Sequence, residues 1–350
     1  FRFDLATVLG RHDSGFSFQH PLLQTIENDK VIGGLKLIAE PWDVGPGGYR
    51  LGGFSGGWSE WNDRFRDSTR RFWRGDVGES SEFAKRLHGS SDIFEGGGRT
   101  PSASINLVTA HDGFTLLDLV SFSERHNAAN GEDNRDGHSH NFSFNHGIEG
   151  RTDDQAINGL RRRQRLNMLA SLIFAQGTPM LLAGDEFGNS QDGNNNAYAQ
   201  DNETGWVDWS GLEADPDFFD TVQSLVRMRR RTTLLHLNAY RHGQPQDIPG
   251  WRDIEWLRPD GEPMLEPDWP AASTITMILA SFRGEKDDGA FALICNASAE
   301  PVACRLPDAG ERFAWELAAA SCDDCEAVSA CNWHIPARAI AAIILRRQPS

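Results

Sequence analysis

Three separate apolar runs in this chain end on charged residues. The first is FRFD, where Phe1 and Phe3 alternate with Arg2 and Asp4. That alternation suits a strand end with both charges on one side. The second is GLKLIAEPWD, residues 34–43. Its apolar stretch is too short for a helix, and Pro41 pushes the residue before it to extended geometry. The pattern predicts a buried strand over 35–40, ending on Glu40. The third is SINLVTAHDG, residues 104–113, which runs straight into His111 and Asp112. A carboxylate at the mouth of an apolar strand is costly unless it is paired or used. Any one of these is equally well a salt-bridged strand end. Three together, on what would be the C-terminal ends of parallel strands, are where an α/β barrel carries its chemistry. The chemistry implied is hydrolysis of a glycosidic bond with retention. It needs a carboxylate nucleophile and a second carboxyl that serves first as acid and then as base, about 5–5.5 Å apart. An arginine beside a nucleophile favours the ionised form. A histidine and a third carboxylate can hold sugar hydroxyls as the ring distorts.

FRFDLA, IAEPWD and VTAHDGF resemble three of the four short motifs of the α-amylase superfamily, glycoside hydrolase family 13. The wider text narrows the likeness. AEPWDVGPGGYRLGGF, WSEWNDRFRDSTRRFWRG, QGTPMLLAGDEFG, GNNNAYAQDNETGWVDW and DIEWLRPDGEP are similar to glycogen debranching enzymes of the isoamylase type, and the resemblance covers nearly the whole chain. By motif position it implies Asp4 as nucleophile, Glu40 as acid/base and Asp112 as stabiliser of the transition state. Arg2 and His111 would bind and orient, and Trp42 would contact the substrate. The family carries, upstream, an accessory β-sandwich, three further barrel strands and a motif with an Asn-His pair. The expectation is that strands four to eight alone leave an open sheet edge and a poorly active fragment.

The elements that must position these residues follow in order. HPLLQTIENDK predicts a helix between the first two strands, a βαβ unit. The loop over 45–57 is rich in glycine, but GPGGYR has Arg50 where a dinucleotide fingerprint needs its third glycine, so it reads as a substrate loop. Trp42, Tyr49 and Trp58 are candidate sugar platforms beside it, or simply loop packing. Residues 58–75 predict a short strand and then a helix with arginines on its exposed face. Residues 80–90 predict another helix, as does TLLDLVSFSE. Residues 125–151 are polar and read as a loop over the site. Asp133, Asp136, His138 and His140 there lack the acidic ladder of a calcium loop. Residues 153–176 carry the clearest helical periodicity, with Arg161–Arg163 and Arg165 as a solvated cluster. TPMLLAGDEFG reads as the eighth strand, ended by Asp185 and Glu186 in structural roles. GNNNAYAQDN lines the rim, with Ala199 where relatives usually have cysteine. A helix near 215–231 closes the barrel.

From about 240 the periodicity changes to short β-branched and aromatic runs, which predict an antiparallel β-sandwich. All five cysteines lie there, and an odd, scattered set suits a reducing, cytoplasmic compartment. Cys322, Cys325, Cys331 and His334 have a spacing that can hold zinc, but NWHIPARA reads as an ordinary final strand. The expected architecture is therefore α/β: a (β/α)8 TIM barrel over 1–240, represented by strands four to eight, followed by a β-sandwich over 241–350. The net charge of −16 argues against nucleic acid and anionic membrane as partners. A neutral branched α-glucan fits, with no metal or other cofactor. The expected reaction is hydrolysis of α-1,6 branch linkages. The alternatives are an α-1,4-acting hydrolase or transglycosylase with the same carboxylates, and a non-catalytic glucan-binding fragment.

Overall fold

Five short strands form one wholly parallel sheet in the computed structural model, which describes residues 1–236, 238–283 and 286–348. They are β1 (Arg2–Phe3), β2 (Leu37–Ala39), β3 (Trp58–Asn62), β4 (Ser104–Asn106) and β5 (Thr178–Pro179), and they pair in sequence order. The register sets Phe3 against Ala39, Ala39 against Glu60, and Glu60 against Ser104. Neighbours pair in parallel only because crossover segments return the chain each time. β1 stands at one edge of this sheet, and Phe1 is exposed.

Helices follow the strands, and most are capped by their own sequence. α1 (Pro21–Asn28) crosses from β1 to β2. α2 (Asp63–Arg74) starts directly after β3 because Asn62 turns the chain and accepts from the Phe65 amide, and it stops at Gly75 with φ 94°. α3 is Ser80–Leu87, and Phe83 stacks on Phe72 of α2 with centroids 4.1 Å apart. α4 (Gln155–Phe174) is capped by Asp154. α5 (Pro216–Arg231) is capped by Asp215, and Arg229 in its last turn donates to the carbonyls of Ala175 and Gly177, tying α5 to the start of β5.

The C-terminal portion is antiparallel. One sheet runs in the order β10 (Phe313–Ala320), β13 (Ala339–Arg347), β8 (Lys286–Asn296), β7 (Thr274–Arg283) and β6 (Ile254–Leu257). A smaller one is β9 (Val302–Arg305), β12 (Asn332–Ile335) and β11 (Glu326–Ala327). Alternate residues of β7 and β8 go to different cores. Ile275, Met277, Phe291 and Leu293 pack with the helices, while Ile278, Ala280, Ala292 and Ile294 pack with Cys304, Trp333 and Ile335 of the smaller sheet. Burial on both faces explains why these strands read as continuous apolar runs.

Several expectations need correction. The strand over 35–40 is only Leu37–Ala39, because a 3-10 turn over Ile32–Gly34 leads into it and leaves Leu35 exposed. The run expected as the eighth strand is extended only over Thr178–Pro179, and Asp185 and Glu186 sit in a turn beyond it, where Gly184 adopts φ 96°. TLLDLVSFSE is helical only over Leu116–Leu119. The arginines are less solvated than their clustering suggests. Arg161 and Arg165 on α4 and Arg70 on α2 are buried, because each meets loop carbonyls or an aromatic face. Trp58 is 1% exposed and packs on Phe3 and Phe54, so it belongs to the core and offers no face to a sugar.

Candidate active site

Glu40 and Asp4 stand at the ends of adjacent strands, and one guanidinium joins them. Arg2 donates through Nη1 to Asp4 Oδ1 at 2.5 Å and through Nη2 to Glu40 Oε2 at 3.0 Å. Arg2 itself lies over the Trp61 ring, 4.0 Å from its centroid. Glu40 is 3% exposed and Asp4 far more open. The Leu5 amide also donates to Glu40 at 2.8 Å, which requires Leu5 in the left-handed region with φ 42°. A non-glycine residue held there is strained on the order of 1 kcal/mol, a feature that gathers at working sites. Burial raises the pKa of Glu40. The Leu5 amide and the Arg2 charge oppose this, and the nearby Asp4 carboxylate adds to it.

The loop after β2 is held by carboxylates outside the expected set. Asp43 accepts from the Thr7 hydroxyl, the Arg11 guanidinium and the Gly45 amide, binding the loops after β1 and β2 together. Glu60, wholly buried on β3, accepts from Arg99 and from the amides of Gly52 and Phe54. Arg99 in turn donates to the Phe54 and Trp58 carbonyls. This buried pair shapes the glycine-rich loop beyond Glu40. Trp42 is half-buried against the cluster of Trp61, Ile105 and Leu107, and the Tyr49 hydroxyl donates to Asp63.

The third carboxylate is reached through Trp61. Its ring centroid is 5.7 Å from that of His111, and His111 Nδ1 is 3.8 Å from Asp112 Oδ1. Arg70 fixes the approach to this loop by donating to the Val108 carbonyl, and the loop's two ends meet in Asp185. That buried carboxylate accepts from the Thr109 hydroxyl and from the Leu116 amide. Burial raises Asp185 to about 7 against these bonds. Asp118 repeats the device from the other side, accepting from Ser190 and the amides of Gln191 and Gly193, and burial raises it to about 6. The strand-end loops thus clamp one another through acids in the protein interior.

His138 comes from the polar loop at 125–151 and meets Asp112, with Nε2 3.0 Å from Oδ2. His111 shares an open cleft of about 470 Å³ with Gln191, Tyr198, Gln200 and Trp206, so the GNNNAYAQDN segment does rim this site. A wider groove of about 880 Å³ lies between α5 and the C-terminal sheet. Among the described side chains its lining carries Arg227, Arg231, Arg346 and Arg347 and no carboxylate. Among the described residues no three His, Cys, Asp or Glu side chains gather as metal ligands.

The structure therefore brings Arg2, Asp4 and Glu40 into direct contact, joins His111 and Asp112 to them through Trp61, and sets Trp42 on the same interior cluster. Trp61 and His138 were not among the expected site residues. Alternation in WSEWN signals that Trp61 shares a face with Ser59 rather than with Glu60, but nothing local ties it to Arg2. His138 is 26 residues from Asp112 and carries no spacing signal at all.

No family model matches the chain. It is 44% identical over 326 residues to the glycogen operon protein GlgX homolog of Mycobacterium bovis, covering 90% of this chain and 45% of that one. It is 44% identical over 340 residues to the glycogen debranching enzyme of Klebsiella pneumoniae, covering 97% and 49%. The chain spans about half the length of the curated relatives it matches. Among solved structures it resembles the apo pullulanase of Paenibacillus barengoltzii, with TM-score 0.67 at 19% identity over 99% of this chain and 47% of that one. It also resembles an Anoxybacillus pullulanase complexed with maltotetraose, with TM-score 0.65 at 18% identity over 98% and 43%. At such identities the structural likeness speaks for the fold alone.

Proposed function

We propose that this chain, a relative of the bacterial glycogen debranching enzymes, carries the reacting carboxylates of a retaining glucosidase that cleaves α-1,6 branch linkages of glycogen or its limit dextrins. The single observation that carries this reading is the Arg2-bridged pair of Asp4 and Glu40 on neighbouring parallel strand ends. We read the parallel sheet as strands four to eight of a (β/α)8 barrel within 1–240, and the antiparallel sheets as a β-sandwich within 241–350.

In this mechanism Asp4 attacks the anomeric carbon while Glu40 gives its proton to the leaving glycosidic oxygen. A covalent glucosyl ester on Asp4 results. Glu40, now a carboxylate, takes a proton from water, and the hydroxide formed displaces Asp4 with a second inversion. Burial of Glu40 suits the acid role, since it favours the protonated form that the first step consumes. Asp112 and His111 hold sugar hydroxyls as the ring flattens, and Trp42 packs beside the sugar. An α-glucan as ligand is supported by the pullulanases of similar fold that are complexed with maltotetraose and maltohexaose. No helix among the described residues is long and apolar enough to cross a membrane. A cytoplasmic place of action fits the scattered free thiols.

The test compares a branched limit dextrin with linear amylose. Release of linear maltooligosaccharides from the first and not the second, with the α-anomer formed first by NMR, is expected. Release from amylose would favour the α-1,4-acting reading. Binding without any release would favour a glucan-binding role.

A further inference from the structure

The loop at 125–151 is more than a cover, because a lattice of asparagines determines where it puts one side chain. Asn127 and Asn195, both fully buried, bond each other reciprocally. The Asn127 amide group donates to Asn195 Oδ1 at 2.8 Å, and the Asn195 backbone amide donates to Asn127 Oδ1 at 2.9 Å. Asn195 Nδ2 then donates to the carbonyl of His138 at 2.9 Å and to Asn141 Oδ1 at 2.9 Å, while Asn141 Nδ2 donates to the same His138 carbonyl at 3.3 Å. Just before it, Gly137 has φ 75°, and a Cβ there would lie 2.2 Å from Asn195 Oδ1. The backbone on both sides of His138 is therefore fixed, and its ring is delivered to Asp112.

We propose that His138 is a positioning residue for Asp112: its Nε2–H donates to Oδ2 and holds the carboxylate between itself and His111. This rests on the reading of Asp112 as stabiliser of the transition state. The two contacts fall on different oxygens, His138 on Oδ2 at 3.0 Å and His111 on Oδ1 at 3.8 Å, so together they select one rotamer. A preorganised carboxylate needs no reorientation as positive charge grows on the sugar. The charged groups facing it are His111 on its own loop, His138 on the opposite loop, and Arg66 and Arg70 on α2. Burial works to raise the Asp112 pKa, but the His138 bond and the charges of His138, His111 and Arg66 bring it down to about 2.

The test uses His138→Ala and His138→Gln, with the Asp112 carboxyl followed by its ¹³C shift and assigned by its loss in Asp112→Asn. In His138→Ala the Asp112 midpoint should rise by on the order of one pH unit, and in His138→Gln, which keeps a neutral donor, by less. The acid limb of kcat/KM on branched dextrin should move up in the same order. An unchanged Asp112 titration in His138→Ala overturns the proposal, whatever the activity. A shifted titration in a protein whose parent has no debranching activity leaves the contact standing and overturns the functional reading instead. Asn195→Ala, which frees the loop without touching Asp112, should reproduce the shift of His138→Ala. Its failure to do so would show that the lattice does not place the histidine.

Discussion

Burial raises the pKa of Glu40 against two donors, which suits an acid, and its replacement separates chemistry from binding. Glu40→Gln keeps the shape but has no proton to give. We expect turnover on branched dextrin to fall by at least about 10²–10⁴-fold, the usual share of general acid catalysis. Glucan affinity, measured by calorimetry, should stay near the parent value, and near-normal turnover would remove Glu40 from its role. Asp185 offers a second test of burial. Its folded pKa is about 7, above the ordinary value of 3.8, so the folded state holds its proton more tightly than the unfolded chain. The sign follows: its contribution to stability is fully present below about pH 4 and is lost as pH rises through 7. Asp185→Asn cannot ionise. Its Tm relative to the parent should therefore improve from pH 5 to about pH 7 and level off above, and a pH-independent difference would show that Asp185 is not protonated in that range. Among the cysteines, Cys322 Sγ lies 3.8 Å from Cys325 Sγ. The bond from Cys325 outweighs burial and brings Cys322 down to about 7, with Arg163 adding to the effect. All five cysteines are free thiols. Iodoacetamide at pH 7.5 should label Cys322 first by peptide mass spectrometry, since the thiolate is the reactive form. Equal labelling of Cys322 and Cys331 would contradict this.

At the scale of elements, the loops above the parallel sheet are held by buried polar pairs as well as by apolar packing. Glu60 and Arg99 are the clearest case, with side chains 0% and 3% exposed. Removing one partner leaves the other charge buried and alone, which typically costs about 3–5 kcal/mol. Arg99→Ala should lose stability of that order in urea titration. It should also loosen the glycine-rich loop at 45–57, read as faster amide exchange at Gly52 and Phe54. Glu60→Gln with Arg99→Met, which removes both charges, should recover much of the loss. If Arg99→Ala is within about 0.5 kcal/mol of the parent, the range for unremarkable surface changes, the pair does not hold the loop.

Across the whole molecule, one apolar cluster runs from α2, α3 and α4 to the inner face of β7 and β8. Phe174 of α4 meets Phe291 of β8 edge-on, with centroids 5.6 Å apart, and both are almost wholly buried. The parallel and antiparallel portions are thus expected to unfold together. Phe291→Ala should cost about 3–5 kcal/mol. Far-ultraviolet circular dichroism and tryptophan fluorescence should report coincident transitions for the parent. Two separated transitions would mean that the cluster does not couple the portions.

The strand ends before Asp4 and Glu40 were legible in the sequence because each depends on local rules, whereas the third strand, read as running straight into His111 and Asp112, stops at Asn106 and leaves both residues in the loop beyond it. Pro41 stops a strand, an apolar run of five is too short for a helix, and a carboxylate placed there needs a reason. The helices over 63–74, 155–174 and 216–231 were legible from their apolar spacing, and the structure adds the caps Asn62, Asp154 and Asp215 that fix where each begins. The change of texture near 240 likewise follows from helical periodicity giving way to short continuous apolar runs, as strands buried on both faces require. What the sequence left open were contacts between residues far apart in the chain. Trp61 bridges Arg2 and His111, Asp185 ties Thr109 to Leu116, and His138 meets Asp112 across 26 residues. Arginines that read as solvated turned out to be buried on loop carbonyls for the same reason. Periodicity reports which face of an element is apolar, but it is silent on which neighbour lies against it. The pairing of loops above the sheet is decided only when the strands align in register and bring those loops to one side.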